Sequence, residues 1–81
     1  MSETHETVTL EASPKILADL QFAAMTAARG AYGDMRARYD HDAACNAARA
    51  YFEACNVVRK ALGAAPMTLQ RVVGDLWRPF D

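Results

Sequence analysis

The sequence predicts a mostly α domain, with a short N-terminal strand or extended arm leading into three helices. Three observations point there. Apolar residues recur at three- and four-residue spacing over most of the chain. Helix-starting residues precede each such run: Ser13 with Pro14, then Asp34 or Asp40, then Pro66. Helix-stopping residues follow them, namely Gly30 and Gly33, Gly63, and Pro79. The chain of 81 residues forms one domain, 1–81, with the arm at 1–12 and helices at 13–29, 34–62 and 66–78.

The arm, "ETVTLEA", alternates as a strand does from Thr7 to Glu11. In the first helix, Ile16, Leu17, Leu20, Ala24, Ala27 and Ala28 fall on one stripe, while Phe22 and Met25 lie on the other side with Ala18. That second apolar patch is covered by another segment of the chain or serves as a subunit or partner contact. The second helix has the cleanest pattern. Asp42, Asn46, Arg49, Glu53, Asn56 and Lys60 share a polar face, opposite Ala44, Ala48, Tyr51, Cys55, Val58 and Leu62. Between Asp34 and Asp40 the phase slips, because Met35 would land on the polar face; a kinked helix or a separate turn both fit. The first two helices are expected to pair antiparallel. The third packs across them through Val72, Leu76 and Trp77, and Phe80 folds back.

A hydrophobic fraction of 52% marks a globular rather than disordered chain. Much of it is alanine, so helices pack closely around few large side chains. A core this small gives only ~3–5 kcal/mol of stability without further burial, so a homodimer or an obligate partner contact is expected. The net charge of -1 supplies no overall attraction to nucleic acid or anionic membrane. It also argues against a DNA mimic, which needs dense carboxylates. Charge is unevenly spread nonetheless. Glu3, Glu6, Glu11 and Asp19 face only Lys15 early on, whereas Arg59, Lys60, Arg71 and Arg78 face Asp75 near the end.

Cys45 and Cys55 lie ~15 Å apart on one helix at ~1.5 Å rise per residue, too far for an internal disulfide. Free core thiols suit a reducing compartment. The acidic opening "MSETHETVTL" reads as neither a signal peptide nor a membrane span, so the expected location is cytoplasmic, in a bacterium, its phage or a host cell.

Catalytic motifs are missing from the sequence: no HExxH, no CxxC, no Gly-rich phosphate loop, and no serine beyond Ser2 and Ser13. In "DHD", Asp40 to Asp42, adjacent helical residues point in different directions and do not converge on a metal. Neither cysteine has a histidine neighbour in a recognisable nucleophile pattern. The expectation is a non-enzyme without metal or cofactor.

Arg36 and Arg38, interleaved with Tyr32 and Tyr39, suit contact with phosphates or an acidic protein surface; a solvated linker is the plainer alternative. Further along, "VVRKALGAAPMTLQRVVGDLW", Val57 to Trp77, resembles a helix-turn-helix, with Gly63 as its turn glycine and Leu69 and Val72 at the apolar positions of the second helix. The resemblance implies that Met67, Thr68, Gln70 and Arg71 point outward to read base edges, beside Arg59, Lys60 and Arg78. An ordinary helical corner explains the same residues. The opening stretch "TVTLEASPKILADL" resembles a ribbon-helix-helix strand. The face it would offer, Thr7, Thr9 and Glu11, carries no basic or amide reader, so it is better taken as an ordering device or an edge strand.

In size, lack of motifs and mixed surface, the chain is similar in type to small phage proteins that block host defence, anti-CRISPR proteins among them, without a residue match. The leading expectation is therefore a small non-catalytic inhibitor or adaptor. Its partner is a protein, such as a nucleic-acid-processing complex, engaged through Phe22, Met25, Arg36, Arg38 and Tyr39. The alternative is a helix-turn-helix regulator that binds DNA through Arg59, Lys60, Thr68, Gln70, Arg71 and Arg78.

Overall fold

The computed structural model describes residues 13–80; the expected N-terminal arm, 1–12, lies outside them. The described residues form three helices with no strand among them, in keeping with the mostly α domain that the sequence predicts. Helix α1 is Pro14–Arg38, α2 is His41–Ala61 and α3 is Leu69–Val73, followed by a 3-10 turn at Gly74–Leu76. Helices α1 and α2 pack along their lengths. Since only Tyr39 and Asp40 separate them, they run antiparallel.

The start of α1 follows the sequence signal. Ser13 is the N-cap, its Oγ accepting from the Ile16 N–H at 3.3 Å, and Pro14 occupies the first turn. The end does not. The expected stop at Arg29 is absent, and α1 runs through Gly30 and Gly33 to Arg38. One face explains this: Ala28, Tyr32 and Arg36, spaced four apart, are its buried residues. A helix that stopped at Arg29 would lose the last two of them. Two interior glycines cost only ~1 kcal/mol each relative to alanine, less than burying Tyr32 contributes. Residues 34–38 thus belong to α1, which removes the phase slip, and Met35 packs against the core.

The alternatives for the second N-cap resolve to Asp40, whose Oδ1 accepts from the Ala43 N–H at 2.9 Å. At the far end Gly63 is the terminator, with φ at 79°. Its N–H donates to the Lys60 carbonyl and that of Ala64 to the Arg59 carbonyl, the paired bonds of a Schellman motif.

Pro66 does not start the third helix. Thr68 is the N-cap, its Oγ1 accepting from the Arg71 N–H at 3.2 Å. The expected helix over 66–78 shrinks to five residues, because Gly74 turns to φ 69° and breaks the α geometry.

The core is small and alanine-rich. Ala28, Ala44 and Ala48 have no exposed surface, so the two helix backbones approach closely; Tyr32, Val72 and Val73 complete the cluster. Cys55 is also fully buried. Some expected core positions are not: Ile16 is 51% exposed, Leu20 50% and Tyr51 46%. Of the α1 stripe, Ala28 is buried and Leu17, Ala24 and Ala27 are half-buried, while Ile16 and Leu20 are exposed. Met25, assigned to the outward patch, instead packs against the core. Leu76 reaches Gly33 but remains 42% exposed, and Phe80 points outward at 82% exposure rather than folding back.

The position of Gly30 yields a test. A Cβ added there meets nothing within 4 Å, so Gly30→Ala should raise unfolding free energy by ~0.5–1 kcal/mol through helix propensity alone. Chemical denaturation measures it. A loss of stability would contradict a continuous α1.

Candidate functional site

Side-chain chemistry concentrates where the α1–α2 corner meets the C-terminal segment. Tyr32, fully buried, lies 5.6 Å from Trp77 in a stacked arrangement with an interplanar angle of 16°. The Trp77 ring meets His41 edge-on at 4.6 Å. The Tyr32 hydroxyl accepts the Arg78 N–H at 3.0 Å and lies 2.8 Å from His41 Nδ1. Which of the two groups donates follows the imidazole tautomer, and the other ring nitrogen, Nε2, lies 3.4 Å from Cys45 Sγ.

His41 and Cys45 adjoin one another, a contact that the sequence reading, which looked only for a nucleophile pattern, did not name. Their spacing of four residues along α2 was legible as one helical face. The contact is nonetheless poor nucleophile chemistry. Burial pushes the Cys45 thiol above its usual pKa, the Asp42 carboxylate adds to the rise, and Arg49 offsets part of it. A reactive cysteine needs the opposite shift. The Cys55 thiol is likewise raised by burial, against a lowering influence from Arg59. Among the described residues no three His, Cys, Asp or Glu side chains are placed to hold a metal ion, and no helix is long and apolar enough to cross a membrane.

The five expected partner-binding residues do not form one surface. Arg36 is only 9% exposed. Its Nε donates to the Arg78 carbonyl at 2.7 Å and its Nη1 to the Tyr39 carbonyl at 3.2 Å, so it fastens the C-terminal segment to the corner. Met25 is in the core layer. Phe22 is 72% exposed, but it lies ~24 Å along the axis from Arg38 at ~1.5 Å per residue. Arg38 and Tyr39 remain exposed at the corner, with Arg38 3.6 Å from Asp34.

Because one guanidinium holds both Tyr39 and Arg78 by their carbonyls, Tyr39 and Phe80 are brought to the same end of the molecule. Tyr39 is 60% and Phe80 82% exposed. A hollow of about 210 Å³ is lined by Arg36, Asp40, His41, Asp42 and Pro79, among them the sequence neighbours of both aromatics. The sequence reading folds Phe80 back, whereas its outward placement follows from the Arg36 clamp on Arg78, across 42 positions of chain.

The expected helix-turn-helix residues are placed differently from the motif. Helix α3 has five residues, too short to carry base-reading side chains across a groove ~12 Å wide. Thr68 is committed to its cap, and Arg59 Nε donates to the Ala65 carbonyl at 2.7 Å. Gln70 and Arg71 are exposed, and Lys60 lies on the outer face of α2. Arg78 is exposed beside Trp77, where its backbone joins the corner cluster.

Asn56, expected on the solvated face, clamps the connecting loop. Its Nδ2 donates to the Met67 carbonyl at 3.0 Å, and its Oδ1 accepts the Met67 N–H at 2.8 Å. Asn56→Ala should cost ~1–3 kcal/mol, since two half-buried backbone groups lose their partners. Faster hydrogen exchange at the Met67 amide would report it; an unchanged rate would sink the clamp.

Comparison of the chain with protein-family models, with curated proteins and with solved structures returns no match.

Proposed function

We propose that this protein is non-catalytic and acts by binding a protein partner through the corner face formed by Arg38, Tyr39 and Phe80. The observation that carries the reading is the pair of exposed aromatics, Tyr39 and Phe80, held beside a polar hollow by the buried Arg36. Aromatic and arginine side chains on a pre-ordered backbone supply large contact area at low ordering cost. Support against catalysis comes from the committed hydrogen bonds of His41 and the raised Cys45 thiol. Inhibition of a bacterial defence complex, in the manner of the phage proteins that this chain is similar to in type, is one role such a binder would serve. Phe22, exposed on α1, is a separate contact point suited to a second copy of the chain or to the same partner.

The DNA-binding reading keeps less support, because α3 has only five residues. Affinity capture from bacterial lysate, with and without nuclease, separates the two. A protein retained after nuclease by the native chain, and lost with Tyr39→Asp, is the expected result. Loss of all bound material on nuclease treatment would favour DNA binding instead.

A further inference from the structure

Away from the corner, Arg59 and Arg71 line one concavity of about 340 Å³ together with Pro66, Met67 and Thr68. No carboxylate lines it, and neither arginine has an ion-pair partner among the described residues. Arg59 is held in place by its Nε bond to the Ala65 carbonyl at 2.7 Å, which leaves its two terminal nitrogens to donate elsewhere. Thr68 Oγ1 accepts the Arg71 N–H at 3.2 Å, which leaves the hydroxyl hydrogen free to donate. Two guanidinium groups around one hollow repel each other until an anion enters between them.

We propose that this notch is a binding site for a phosphomonoester. A carboxylate is satisfied by one arginine fork, whereas two forks and a hydroxyl donor approaching from different sides match a doubly charged, tetrahedral phosphoryl group. The volume exceeds what phosphate alone fills, and Pro66 and Met67 offer an apolar wall to a small organic body. The site is distinct from the Tyr39–Phe80 face and stands or falls separately from it.

The test is a titration of the full chain with phenyl phosphate and with inorganic phosphate at matched ionic strength, followed by backbone amide NMR. Expected are saturable shifts confined to Arg59 and residues 64–71, with tighter binding of phenyl phosphate. Arg71→Gln removes an exposed guanidinium that has no hydrogen-bond or ion-pair partner among the described residues, and should weaken binding at least about tenfold, as loss of a charge-assisted hydrogen bond does. Arg49→Gln, an exposed arginine outside the notch, should leave it unchanged. Shifts spread over all basic residues, equal weakening by both glutamine variants, or no saturation would overturn the site. Equal affinity for the two probes would overturn the role of Pro66 and Met67.

Discussion

Tyr32→Ala is expected to lower unfolding free energy by ~3–5 kcal/mol, the usual cost of deleting a buried aromatic side chain. For a domain of this size that approaches the whole stability. The magnitude follows from what the ring does. It is fully buried, it stacks on Trp77, and its hydroxyl joins Arg78 to His41, so that α1, α2 and the C-terminal segment meet on one side chain. Tyr32→Phe isolates the hydroxyl. It keeps the ring and strands the Arg78 N–H and His41 Nδ1, for ~1–3 kcal/mol. The single tryptophan of the chain, Trp77, makes its fluorescence a direct report on this junction. The alanine variant should shift emission toward the water-exposed value. If it unfolds with native stability, the junction does not hold the fold together.

Ala48→Leu should cost ~1–3 kcal/mol or more, because added methylenes in a closed interface force backbone shifts. Ala28, Ala44 and Ala48 are fully buried, and a larger side chain at Ala48 must separate α1 from α2. Ala54→Leu, on the exposed face of the same helix, should stay within ~0.5 kcal/mol of the native chain. Urea denaturation of both variants measures the difference. Equal stabilities would mean that the helices do not meet at their alanines.

Local signals located the first helix start at its cap and left Asp40 as one of two candidates for the second, while the Thr68 cap of the third was missed. Ser13 with Pro14 and Asp40 are where the hydrogen-bond chemistry requires them, and Gly63 ends α2 at the positive φ that glycine permits. The amphipathic pattern of α2 also placed Ala44, Ala48 and Cys55 inward correctly. Signals that tertiary contacts override were misread. Gly30 and Gly33 look like stops, yet burial of Tyr32 and Arg36 outweighs their helix cost. Pro66 looks like a start, yet the Asn56 clamp on Met67 holds that segment as a loop. Ile16 and Leu20 share a stripe with Ala24, but a two-helix layer covers only the part of the stripe that faces the partner helix.

The same division holds for function. Arg38 and Tyr39, read from the sequence as basic and aromatic residues of the inter-helix region, are exposed. Arg36 was misassigned, because nothing local distinguishes a surface arginine from one buried under the C-terminal segment. The His41–Cys45 contact was legible from its spacing and passed over. The Arg59–Arg71 notch needed the loop between α2 and α3 to bring its members together.

The central claim is that the corner face binds and does not stabilise. Its most direct test compares the native chain with one carrying Arg38→Glu, Tyr39→Asp and Phe80→Asp, measuring the unfolding midpoint and the capture of a protein partner from nuclease-treated lysate. The predicted result is an almost unchanged midpoint, since Tyr39 and Phe80 are mostly exposed, together with loss of the partner. Undiminished capture by the variant at an unchanged midpoint would contradict the claim.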